Sequence, residues 1–60
     1  MLQPIFELLG VKDENWRDVN IIRQDKYVIS FTFKERGIGT RYVKALLNNG
    51  QWKIVLNQLR

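Results

Sequence analysis

Sixty residues with ten Lys or Arg, six Asp or Glu and neither Cys nor His carry a formal charge of +4 and a pI of about 9.9. A chain of that size buries only about 60% of the surface its unfolded form exposes, which allows one hydrophobic core and no second. The missing Cys and His exclude disulfide stapling, a thiolate zinc site and the commonest metal ligand, so we expect one small basic domain over residues 1–60 with no cofactor and no metal.

In chain order, Pro4 suits the first turn of a helix, Ile5, Phe6, Leu8 and Leu9 supply its apolar face, and Gly10 can end it, which predicts a short helix over 3–9. Asp13 can cap a second short turn running through Trp16 and Arg17. Tyr27, Ile29, Phe31 and Phe33 alternate with Val28, Ser30 and Thr32, the period-2 pattern of a half-buried strand over 27–34. Val19, Ile21 and Ile22 precede it across the polar stretch Gln24-Asp25-Lys26, so 19–24 and 27–34 read as a hairpin. Trp52, Ile54 and Leu56 alternate with Lys53, Val55 and Asn57 and predict a further strand over 51–57.

Residues 40–49 admit two readings. As a helix capped by Thr40 and ended by Asn49-Gly50, the segment gathers Tyr42, Val43, Ala45, Leu46 and Leu47 in one arc, with Arg41, Lys44 and Asn48 opposite. As a strand it lies between Glu35-Arg36-Gly37 and Asn48-Asn49-Gly50, which both suit three-residue hairpin loops, and a four-stranded meander results. Either way the fold class is α+β, a short helix on a small antiparallel sheet. In the strand reading one face carries Tyr27, Ile29, Phe31 and Phe33, and the other gathers Val28, Tyr42, Leu46, Trp52, Ile54 and Leu56. One of those faces then needs a partner, because seven helical residues cannot cover both.

Charge is unevenly spread. Residues 1–20 hold two basic against four acidic side chains, and residues 21–60 hold eight basic against two acidic. The segment from Lys34 to Arg41 concentrates this bias around Gly37 and Gly39. If a helix starts at Thr40, its free N–H groups, the Thr40 hydroxyl and the flanking Arg36 and Arg41 suit a phosphate. The segment has neither the GxxxxGK[ST] phosphate loop nor a GxGxxG fingerprint, and a plain turn with solvated charges competes with the phosphate reading. Lys44 and Lys53 beside Tyr42 and Trp52 form a second constellation of the type that binds nucleic acid, charge for the backbone and rings for stacking, although aromatics on apolar-periodic positions are commonly core.

No carboxylate recurs beside a His or a Gly-rich loop. Asp13, Glu14 and Asp18 read as helix-start charges, and Ser30 has no His to activate it, so we expect no enzyme. The expectation is a nucleic-acid-binding module, for DNA or RNA, whose contacts come from Lys34, Arg36, Gly37, Gly39, Thr40, Arg41, Lys44 and Lys53. The alternative is a non-catalytic protein that docks on another protein or on copies of itself as a homodimer or higher oligomer. No apolar run approaches the roughly 18 residues that span a bilayer, and residues 1–10 hold Glu7 and no basic leader. We therefore expect no membrane partner and a cytoplasmic location. Met1 and the lack of a trailing linker suggest a complete chain, and its size and composition are compatible with small accessory proteins of phages and plasmids, without a motif that ties it to them.

Overall fold

The computed structural model describes residues 2–60, and Met1 lies outside them. Helix α1, Gln3–Leu9, opens with Pro4 in its first turn, where a missing N–H costs nothing. It closes on Gly10 at φ 73°, with the Gly10 N–H donating to the Glu7 carbonyl and the Val11 N–H to that of Phe6. That pair of bonds is a Schellman cap, which needs the left-handed residue glycine supplies. A single 3-10 turn follows at Asp13–Asn15. It is shorter than the turn expected through Arg17, because Trp16 is already extended and begins a strand. Asp13 caps no backbone there; its carboxylate accepts hydrogen bonds from the side chains of Gln3 and Trp16.

Four strands form one antiparallel meander in the order β1-β2-β3-β4: β1 is Trp16–Gln24, β2 Val28–Glu35, β3 Gly39–Asn48 and β4 Gln51–Leu59. The α+β class and the strand pattern of 27–34 and 51–57 hold within a few residues at each end. Residues 40–48 form a strand and not a helix, and Asn49 belongs to the turn that follows. Turn chemistry at both ends explains the outcome. Asn49-Gly50 is a two-residue turn with φ of 53° and 75°, the pair of positive values that a type I′ hairpin requires. Gly37 takes φ 77° in the Arg36-Gly37-Ile38 turn, where the Ile38 N–H donates to the Glu35 carbonyl. A ten-residue helix is marginal by itself, whereas β3 pairs with strands on both sides.

Register decides the two faces. Phe33, Phe31 and Ile29 pair with Arg41, Val43 and Ala45, and these in turn with Leu59, Asn57 and Ile54; Leu47 pairs with Trp52. This is the face that α1 covers. Trp52 and Ile54 therefore join the covered face, contrary to the expectation that they lie with Tyr42. The tight Asn49-Gly50 turn sets Trp52 opposite Leu47, and an irregularity at Val55 then moves Leu56 across to pair with Lys44. Two residues that alternation places together thus end on opposite faces.

The core comprises Ile5, Phe6, Val11, Ile29, Phe31, Phe33, Val43 and Ala45, with Leu2, Leu9, Trp16, Val19, Trp52 and Ile54 packed around it. Phe6 is fully buried. Its ring stacks on Trp16 with centroids 4.3 Å apart and meets Phe31 and Phe33 edge-on at 5.7 and 4.9 Å. At the β1–β2 turn the Asp25 carboxylate accepts from the Tyr27 and Val28 N–H groups and from Arg23. Desolvation raises its pKa, but those hydrogen bonds and the Arg23 charge outweigh it and hold the carboxyl below its ordinary value.

Replacing Phe6 by Ala removes the ring that packs against all three of those aromatics. Phe6→Ala should cost about 3–5 kcal/mol, a large share of the stability of any small domain. Near-UV circular dichroism from Trp16 and a chemical denaturation curve check it; a loss below about 1 kcal/mol would contradict this account of the core.

Candidate functional site

On the uncovered face the register lays the side chains out in four cross-strand rows. Arg17, Lys34 and Thr40 form the first; Asn20, Thr32, Tyr42 and Gln58 the second; Arg23, Ser30, Lys44 and Leu56 the third; Val28, Leu46 and Lys53 the fourth. Alternate residues of a strand are about 7 Å apart, so the rows repeat at that spacing. Arg60 closes the first row, since its N–H donates to the Thr40 carbonyl, and its guanidinium lies 5.6 Å from the centre of the Tyr42 ring. Six cations, Arg17, Arg23, Lys34, Lys44, Lys53 and Arg60, therefore lie on or border the face that holds Tyr42, and Arg60 is the one beside its ring. The half-buried Val28, Leu46 and Leu56 lie between them, a setting in which lysine and arginine stems cover apolar surface while their charges stay in water.

Most of the carboxylates are elsewhere, and two touch the margin of this face. Glu7 belongs to α1, Asp13 and Glu14 to the 3-10 turn, Asp25 to the β1–β2 turn and Glu35 to the helix-covered face. Asp18 adjoins the basic face, 3.7 Å from Lys34 Nζ and 3.9 Å from Arg17 Nε, and Asp25 in the β1–β2 turn reaches its margin, 3.0 Å from the Arg23 guanidinium. Asp18 lies within the irregular stretch between Arg17 and Asn20 at φ 55°, a left-handed conformation that Asp tolerates better than most residues. Among the described residues, Lys44 and Lys53 have no carboxylate within salt-bridge distance.

The residues singled out from the sequence do not form one cluster. Lys34, Thr40, Lys44 and Lys53 share the open face. Arg36, Gly37 and Gly39 belong to the hairpin at its end, beside Arg17 and Lys34 in a shallow groove also lined by Glu14, Asn15 and Trp16. Arg41 is on the helix-covered face, where its guanidinium bonds Glu35 and the Asn57 Oδ1 at 2.7 Å and lies over Phe33 at 5.8 Å. The side chains of Arg41 and Glu35 are only 17% and 12% exposed, which makes this pair part of the packing. Because no helix starts at Thr40, the helix-terminal phosphate cradle imagined for Gly37, Gly39, Thr40, Arg36 and Arg41 does not exist: the glycines serve a β-turn, and the N–H groups of β3 enter the ladder.

Arg17, Arg23 and Arg60 escaped the sequence reading. Arg23 was within reach, because the β1–β2 hairpin places it across from Ser30; Arg17 was not, since the strand begins three residues before the apolar pattern does. The aromatic pair splits, with Tyr42 on the open face and Trp52 packed against the core. Ser30 is buried on the open face with only 3% exposure, flanked in register by Arg23 and Lys44. Among the described residues no three metal-ligating side chains come together, and no helix is long and apolar enough to cross a membrane.

Comparison with known proteins finds no match: no family model, no curated protein and no solved structure resembles the chain.

Arg41 and Lys53 separate structural from surface charge. Arg41→Ala leaves the half-buried Glu35 carboxylate without its partner and should cost roughly 1–3 kcal/mol, whereas Lys53→Ala should change stability by less than about 0.5 kcal/mol. Urea denaturation of the two variants measures the contrast, and equal effects would remove Arg41 from its structural role.

Proposed function

We propose that the chain is a non-catalytic nucleic-acid-binding module whose contact surface is the open face of the sheet. The observation that carries this reading is the bias of charge: six cations on or beside one face, with four of the six carboxylates off it and only Asp18 and Asp25 at its margin. A surface of one sign attracts a polyanion over distances up to the Debye length and holds it by releasing condensed counterions. Lys34, Lys44 and Lys53 supply phosphate contacts from three different rows, with Arg17, Arg23 and Arg60 at the margins. Arg36 extends the surface toward the hairpin. Arg41 has no part in it, because its charge is satisfied by Glu35 on the opposite face.

Binding of this kind depends steeply on salt. The logarithm of affinity should fall linearly with the logarithm of salt concentration. Each of Lys34→Gln, Lys44→Gln and Lys53→Gln should flatten that slope by roughly 0.7–0.9. Fluorescence anisotropy with labelled oligonucleotides at about 50 and 200 mM salt measures it. Absence of binding at both concentrations would sink the reading.

A second reading, self-association, has its own observation. β1 and β4 are unpaired sheet edges, and exposed apolar side chains line them: Ile21, Ile22 and, beyond the turn, Tyr27 at one edge, and Val55 and Leu59 at the other. Unpaired edges are templates for strand addition. Sedimentation at high protein concentration tests it, with a dimeric or larger mass expected and a monomer counting against it.

A further inference from the structure

The shape of the basic face selects the form of nucleic acid. A protein reads the major groove of a duplex with a helix or a two-stranded ribbon that fits a channel about 12 Å wide. Here α1 lies on the other side of the sheet. The open face is four strands broad, about 14 Å between its outer backbones before any side chain is added. Nor does a ribbon project from it. Trp16 of β1 pairs with Glu35, and the β4 side reaches Arg41 through Leu59 and Thr40 through Arg60, so only the Arg36-Gly37-Ile38 turn and Gly39 extend past it. At the other end the β3–β4 hairpin extends past Val28 by two residue pairs and its turn, too short for a groove-filling ribbon. Against such a surface a duplex makes a tangent contact along one line of phosphates.

A single strand can lie across all four rows, with its phosphates among Lys34, Lys44, Lys53 and Arg60 and a base over the aromatic ring between them. Tyr42 occupies a central strand in the second row, flanked in register by Thr32 and Gln58. It is half-buried, and the Arg60 guanidinium lies 5.6 Å from its ring centre, so the ring is reachable by a group beside it on the open face. Bases stack on such rings without regard to sequence, and a cationic groove tracks the backbone beside them.

We propose that the open face binds single-stranded nucleic acid in preference to duplex, with Tyr42 as the base-stacking residue in the position over which Arg60 now lies. This rests on the reading of that face as a nucleic-acid surface. The chemistry recognised, phosphodiester plus an unpaired base, is common to DNA and RNA.

The experiment titrates the full chain against labelled 12-nucleotide single-stranded DNA, single-stranded RNA of the same sequence, and the corresponding DNA duplex at one salt concentration. Tighter binding of either single strand than of duplex supports the proposal, and the preferred strand identifies its source. Tyr42→Val, chosen because valine suits a strand, should weaken single-strand binding on the order of tenfold and leave its salt slope unchanged, while Tyr42→Phe should retain it. Equal or tighter binding of duplex would overturn the proposal, as would a folded Tyr42→Val chain with undiminished single-strand affinity. In either case, binding that still falls with salt and is weakened by Lys44→Gln would leave the nucleic-acid reading standing, whereas no binding to any of the three probes removes both. The wild-type comparison needs no variant, so it decides the matter even if Tyr42→Val does not fold.

Discussion

The packing of the Phe6 ring against Trp16, Phe31 and Phe33 is the contact on which the rest of the structure depends. A seven-residue helix has no independent stability in water, since nucleating it fixes several residues before enough hydrogen bonds form. Burying a side chain such as Phe contributes roughly 1.5–3 kcal/mol, and aromatic pairs in stacked or edge-to-face geometry add to that. Helix α1 exists because Phe6 and Ile5 have somewhere to go. Its Schellman cap turns the chain so that Val11 also reaches the core and Trp16 can enter β1 with its ring against Phe6. By covering one face of the sheet, this contact also settles which face is left to water.

That division would fail with strict alternation throughout. A one-residue slip in register moves every side chain of a strand to the other face, and this sheet uses local irregularities to sort residues that alternation misplaces. Near Val55, Ile54 stays with Ala45 under the helix and Leu56 passes to Lys44 on the open face. In β1 two further shifts, between Arg17 and Asn20 and between Ile21 and Arg23, keep Val19 packed against the core and the exposed Ile21 in register with Phe31, while Arg17, Asn20 and Arg23 share rows with Lys34, Thr32 and Ser30. Irregularities on both outer strands also disturb the regular rows of donors and acceptors that an unpaired edge offers to other chains.

The basic residues accordingly have two different physical roles. Arg41 is a packing element: its planar guanidinium bonds a carboxylate and an amide while resting over an aromatic ring, a combination for which lysine is a poor substitute. Lys44, half-buried, and Lys53, exposed, have no carboxylate within salt-bridge distance among the described residues, and their effect lies in the field they make together. The proposed function draws on Lys44 and Lys53 together with the exposed, carboxylate-paired Lys34, Arg17 and Arg23 and with Arg60 and Arg36, and not on Arg41. A count of charges in the sequence cannot separate the two roles.

Composition and local pattern determined a good deal: one core, no thiol chemistry, the helix at 3–9, the alternating strand at 27–34, and the places of both glycine-containing turns, though the first is shifted by one residue to 36–38 and the second is the two-residue Asn49-Gly50 and not a three-residue loop. These are short-range consequences of side-chain shape and backbone freedom, legible within a window of a few residues. Only the tertiary structure decided that 40–48 is a strand, because the segment's helical and extended patterns are nearly matched and the difference lies in hydrogen bonds to β2 and β4. It also decided that Arg41 turns inward and that Trp52 and Tyr42 part company. Both depend on register, a relation between residues far apart in the chain, and a single irregularity at Val55 is enough to reverse what alternation alone predicts.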